Sequence, residues 1–168
     1  MKIALKVAAM LSWFNIIFWG MFVALGLLVS LATGQMALLA LFVLLSAIPL
    51  NCFAALKLHK SIRYSREPLS NQTPVGIRFV GLIALFFGMM DIISGFSTIA
   101  DPGRIANMMK ELAAQMPDDL RKYYTLSKGA ILFVGSLSVA LGLMIAVNVI
   151  LNIRLLRWYF LVHRNDVS

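Results

Sequence analysis

Apolar side chains fill this chain in four long blocks, and polar residues gather between them. The blocks cover about 7–31, 36–56, 76–100 and 129–151. Each reaches the ~20 residues that a helix needs to cross a bilayer. A lipid interior leaves helices and closed barrels as the only backbones with every polar group paired. Blocks of this length and continuity predict an all-α fold: a four-span transmembrane helical bundle, forming a single membrane domain over residues 1–168.

The joints between blocks carry the remaining local signals. Only Thr33, Gly34 and Gln35 separate the first two spans, which makes them an antiparallel hairpin. Pro49 lies inside the second span and removes the donor for the Leu45 carbonyl, so a kink is expected there. Lys57, Lys60 and Arg63 continue that helix out of the membrane with a basic face, until Pro68, Asn71 and Pro74 break it. After the third span, Asp101 and Pro102 form an N-cap and first-turn pair. Ile105, Met108, Met109, Leu112 and Met116 then share one helical face, opposite Arg104, Lys110 and Glu111. An amphipathic helix over about 102–116 is therefore expected on the outer surface. Asp118, Asp119, Arg121 and Lys122 read as a solvated cluster, and Tyr123 and Tyr124 as interfacial residues. The tail, 152–168, alternates Arg154, Arg157 and Arg164 with Trp158, Tyr159 and Phe160, as an interfacial anchor does.

Composition sharpens this reading. A hydrophobic fraction of 61% exceeds what a soluble domain of this length carries. The first block is too long for a cleaved signal peptide, whose apolar core has ~7–15 residues. The net charge of +8 would point to nucleic acid in a soluble protein. Here it is unevenly placed. Lys2, Lys6, Lys57, Lys60, Arg63, Arg66, Arg78, Arg154, Arg157 and Arg164 fall on one side of the layout. Arg104, Lys110, Arg121, Lys122 and Lys128 fall on the other. The positive-inside rule puts both termini and the middle joint in the cytoplasm. The charge is thus a topology signal and an attraction for anionic lipid, and nucleic acid is not an expected partner. Cys52 is the sole cysteine, which excludes an intramolecular disulfide and a cysteine metal cluster. It reads as a small apolar residue inside a helix.

Asp91 is the one acid inside an apolar block. Counted along a helix at ~1.5 Å per residue, it lies ~15 Å from the level of Asp101, near the bilayer centre. A charged aspartate there costs ~2.5–3.5 kcal/mol, and neighbouring spans offer no Lys or Arg at that depth. Asp91 is therefore expected to be neutral and to need an acceptor. Ser46, Ser136, Ser138 and the Leu45 carbonyl are placed near its level. Three uses of Asp91 stay open: a proton or cation site, a polar tie between spans, or contact with a partner chain. Small residues recur at Gly81, Gly88 and Gly95 on the third span and at Gly135 and Gly142 on the fourth. They are read as helix-packing positions, where backbones approach closely.

Other chemistry is not indicated. His59 and His163 lie at the cytoplasmic ends and read as solvated or headgroup-facing. Haem ligands would sit deeper in a bundle, and Met108, Met109 and Met116 are explained as an apolar face. No cofactor, metal or catalytic residue is expected. No metal-hydrolase, phosphate-loop or nucleophilic-triad pattern occurs.

The stretch Glu67-Pro68-Leu69-Ser70 through Ile77-Arg78-Phe79-Val80-Gly81 resembles the signature of a family of bacterial four-span inner-membrane proteins of unknown function. In that family a Pro, an aromatic or Leu, and a Ser or Thr follow a basic helix end. An apolar-Arg-apolar-apolar-Gly entry into the third span comes next. This chain departs from the family in its very short first outer turn and in its tail. The resemblance implies a multi-pass protein of the bacterial inner membrane, and no chemistry. The expected function is a non-catalytic membrane subunit or regulatory partner, bound by lipid and by other membrane chains or its own copies. The alternative is a small oligomeric transporter or channel-like protein with Asp91 as its proton or cation site.

Overall fold

A computed structural model describes residues 2–64, 69–70, 72–114 and 127–164. Among them every regular element is helical. In chain order these are α1 (Lys2–Thr33), α2 (Met36–Leu45), α3 (Ala47–Arg63) and α4 (Gln72–Val75). A π-helical turn (Gly76–Val80) follows, then α5 (Gly81–Ala100), α6 (Pro102–Ala114) and α7 (Lys128–Arg164). Four stretches are long and apolar enough to cross a membrane: Ile3–Thr33, Met36–Arg63, Gln72–Ala100 and Lys128–Val162. Their outer faces expose large apolar side chains such as Ile17, Met21, Leu28, Phe79, Phe86, Ile93, Phe133 and Leu161. Water does not tolerate such a surface and lipid does. The protein is a multi-pass helical membrane protein built as an all-α four-span bundle.

The local signals shape the elements. Gly34 takes φ +65° and closes α1, with the Gln35 N–H bonded to Ser30 O at 3.2 Å and the Gly34 N–H to Leu31 O at 3.4 Å. This is a Schellman cap, and glycine adopts its left-handed conformation without a Cβ clash. The kink expected near Pro49 is a break at Ser46, which separates α2 from α3. Asp101 caps α6, its Oδ1 accepting the Arg104 N–H at 3.0 Å. The face of α6 turned inward carries Ile105, Ala106, Met109 and Ala113, while Met108 and Leu112 are exposed. Met116 and the charged and tyrosine cluster after it lie outside the described residues. α1 and α7 run past the expected span ends, to Lys2 and Arg164.

The chain divides into two compact units. One is Met1–Phe87 with Met144–Ser168, and the other is Gly88–Leu143. In the first, α1 packs on α2 and α3, and α3 packs on α4 and the π-helical turn. The buried positions of α1 are Ala8, Ser12, Asn15, Trp19, Val23, Gly26 and Ser30, a single seam at spacings of three and four. Near the basic ends of the spans, Ala8, Leu58, Ile77, Leu155, Leu156 and Tyr159 form an apolar cluster. Further along α1 and α2 the Phe42 ring takes the place that a side chain on Gly26 would fill. In the second unit, α5 and α7 meet through glycines. A Cβ on Gly142 would stand 2.5 Å from Gly88 O, and one on Gly95 would stand 2.6 Å from Gly135 O. Such distances admit no larger residue, and they let the two backbones touch.

Candidate functional site

The first unit holds a buried polar network in which three spans take part. Ser12 Oγ of α1 donates to Asn148 Oδ1 of α7 at 3.1 Å. Asn152, one turn along α7, donates from Nδ2 to the same oxygen at 3.1 Å. Asn148 Nδ2 donates to Cys52 Sγ of α3 at 3.1 Å. His59 Nε2 of α3 lies 3.0 Å from Asn152 Oδ1. A carbonyl oxygen only accepts, so His59 carries its proton on Nε2 in this pair. The result is a directional chain, from imidazole N–H through two carboxamides to sulfur. Every member is buried, with Ser12 and Asn152 fully enclosed.

Local sequence explains the placement. Asn148 and Asn152 are four residues apart and therefore stack on one face of α7. Ser12 and Asn15 share the buried seam of α1. On α3 the inward residues are Asn51, Cys52, Ala55, Leu58 and His59, and Lys57 and Lys60 point outward. His59 is therefore not solvated or headgroup-facing, as its place at the cytoplasmic end suggested, but only 6% exposed. Cys52 is buried as expected, and it also accepts a hydrogen bond. Gly81 admits Asn51: a Cβ there would lie 3.0 Å from Asn51 Oδ1. Among the described residues, no partner pairs with the side-chain polar atoms of Asn15 and Asn51, with Trp19 Nε1 or with His59 Nδ1.

The second unit holds Asp91. It is half-buried, and a Cβ on Gly142 would lie 3.0 Å from its own Cβ. Among the described residues its carboxyl has no hydrogen-bond or ion-pair partner. Ser136 is exposed and donates to Leu132 O on its own helix at 2.9 Å. Ser138 is half-buried beside the glycine seam. Ser46, in the first unit, donates to Val43 O of its own helix at the break. Thr98 likewise bonds back to Ser94 O at 2.9 Å. These hydroxyls satisfy themselves within one helix, as hydroxyls at a lipid-facing surface must.

Sequence reasoning singled out the one charged residue and passed over the uncharged network. Its signal was present: Asn148 and Asn152 at helical spacing where the fourth apolar block meets the tail, with Ser12 and Asn15 in the first block. Among the described residues, no three of His, Cys, Asp and Glu converge as metal ligands would. No family model, curated protein or solved structure matches the chain.

Proposed function

We propose that this chain is a non-catalytic integral subunit of a bacterial inner-membrane assembly, with both termini in the cytoplasm. The observation that carries the reading is the half-buried, unpartnered carboxyl of Asp91 in the middle of an apolar span. Turned toward lipid, such a group forfeits the hydrogen bonds that water would give it. A polar residue of another chain restores one. The first unit supports the same reading in a different way. Its buried Ser12, Cys52, His59, Asn148 and Asn152 bond to one another and tie spans together, as interhelical carboxamides do in membranes. The bacterial location rests on the resemblance of the Glu67–Gly81 stretch. The orientation rests on the distribution of Lys and Arg.

Two substitutions at one position test this. Asn matches Asp91 in size and retains hydrogen bonding, and Leu removes it. Purification in mild detergent is expected to recover one companion chain in fixed ratio from wild type and Asp91→Asn, but not from Asp91→Leu. Companion recovery that ignores Asp91→Leu, or no companion at all, would overturn the proposal. A second reading, an oligomeric transporter, is favoured by the unpaired polar atoms of Asn15, Trp19 and Asn51. It requires a folded, homo-oligomeric Asp91→Asn variant that has lost ion flux in proteoliposomes.

A further inference from the structure

Four clefts of the first unit each contain a Lys or Arg: Arg154 in one, Lys60 and Arg63 in another, Lys57 in a third, and Arg78 with Arg157 in the last. The last differs from the others in having two guanidinium groups from separate spans. Its volume is about 310 Å³, and Phe160 and Leu161 complete its lining. Arg78 projects from the π-helical turn, an irregularity that is frequent at functional positions. Its guanidinium carbon lies 5.9 Å from the centre of the Phe160 ring, which draws the Arg78 head toward α7. Arg157, Phe160 and Leu161 share a face of α7 by their spacing of three and four. Both arginines are exposed, and among the described residues no carboxylate pairs with either.

We propose that Arg78 and Arg157 clamp the phosphate of an anionic phospholipid at the basic ends of the third and fourth spans. The chemistry of the cleft selects this occupant. Two planar guanidinium forks match phosphate oxygens in a way that lysines do not. The cleft lies where the basic ends of two spans meet the headgroup layer, so an anionic lipid presents its phosphate there at far higher local density than a dissolved anion. Leu161 is 66% exposed, so the cleft is open to that layer. Trp158, half-buried on the same stretch of α7, suits the aromatic belt found at headgroup level.

The test uses the full-length protein in detergent, titrated with phosphatidylglycerol or phosphatidylcholine and read by native mass spectrometry. Wild type is expected to retain phosphatidylglycerol preferentially. The double variant Arg78→Gln/Arg157→Gln is expected to lose that preference by about tenfold or more, as the loss of a charge-assisted hydrogen bond dictates. Arg154→Gln, at the same basic end, is expected to bind as wild type does. Should the double variant fail to fold, Arg157→Lys alone keeps the charge without the fork and is expected to lose several-fold. A matching loss in Arg154→Gln would replace the clamp with diffuse attraction and overturn it. So would an unchanged preference in the double variant. Displacement of the lipid by millimolar inorganic phosphate would likewise overturn the lipid assignment, since it would show that the acyl chains contribute nothing.

Discussion

Asn148 does more than any other residue in the first unit. Its oxygen accepts from Ser12 and Asn152, and its nitrogen donates to Cys52, so one side chain joins three spans. Asn148→Leu keeps the branched shape of the side chain and removes all three bonds. In membranes an interhelical hydrogen bond averages ~0.6 kcal/mol, because the unfolded chain also finds partners there. Two such bonds, to Ser12 and Cys52, give a loss of about 1 kcal/mol, measured as a shifted midpoint in a denaturing-detergent titration. Ser136→Ala is the matching control. Its hydroxyl bonds only to its own helix, and the expected change is within about 0.5 kcal/mol. Equal losses in the two variants would mean that the network does not hold the spans together.

At the scale of elements, much was legible in the chain. The four blocks, the Asp101 cap and the break caused by Pro49 follow from short-range rules, and all are present. So is the extension of the second span through Lys57, Lys60 and Arg63, which their spacing predicted. Two things were not. The π-helical turn at Gly76–Val80 leaves no periodic signature, since its residues read equally well as α-helix. The polar network needs residues far apart in sequence. Periodicity gives the inward face of each span but not which face it meets, so nothing in the chain joins Ser12 to Asn148. His59 failed for a related reason. Its place near the cytoplasmic end suggested solvent, whereas on the helix it stacks one turn from Ala55 on the inward face. The glycines stand out in sequence; α5 and α7 approach closely at Gly88, Gly95, Gly135 and Gly142, whereas Gly81 faces the side chains of Asn51 and Val149. Gly142→Leu or Gly95→Leu must push α5 and α7 apart, since a mere Cβ already falls within 3 Å of backbone oxygen. Disulfide crosslinking between cysteines placed on these two helices is expected to fall sharply in either variant. Gly20→Leu, with nothing within 4 Å of its Cβ position, is expected to leave it unchanged.

For the whole molecule, four spans put both ends of the chain and the joint between the second and third spans on one side of the bilayer. In the orientation proposed from the distribution of Lys and Arg, that side is the cytoplasm. Reporter fusions after Gln72 and Ser168 are expected to be active as cytoplasmic fusions, and one after Pro117 as an exterior fusion. An exterior signal at Gln72 would invert the molecule and place the arginine clamp in the wrong leaflet. The second span also has a mechanical character. Its outer half, α2, contains no buried residue and is bounded by turning points at Gly34 and Ser46. It rests on α1 chiefly where Phe42 covers Gly26. Its inner half, α3, is held through Cys52 and His59. When a bilayer thickens or thins, a span tilts to keep its apolar length covered, at a cost of fractions of a kcal/mol per Å. In this protein that adjustment is expected to fall on α2, which carries no buried residue, rather than on the hydrogen-bonded α3.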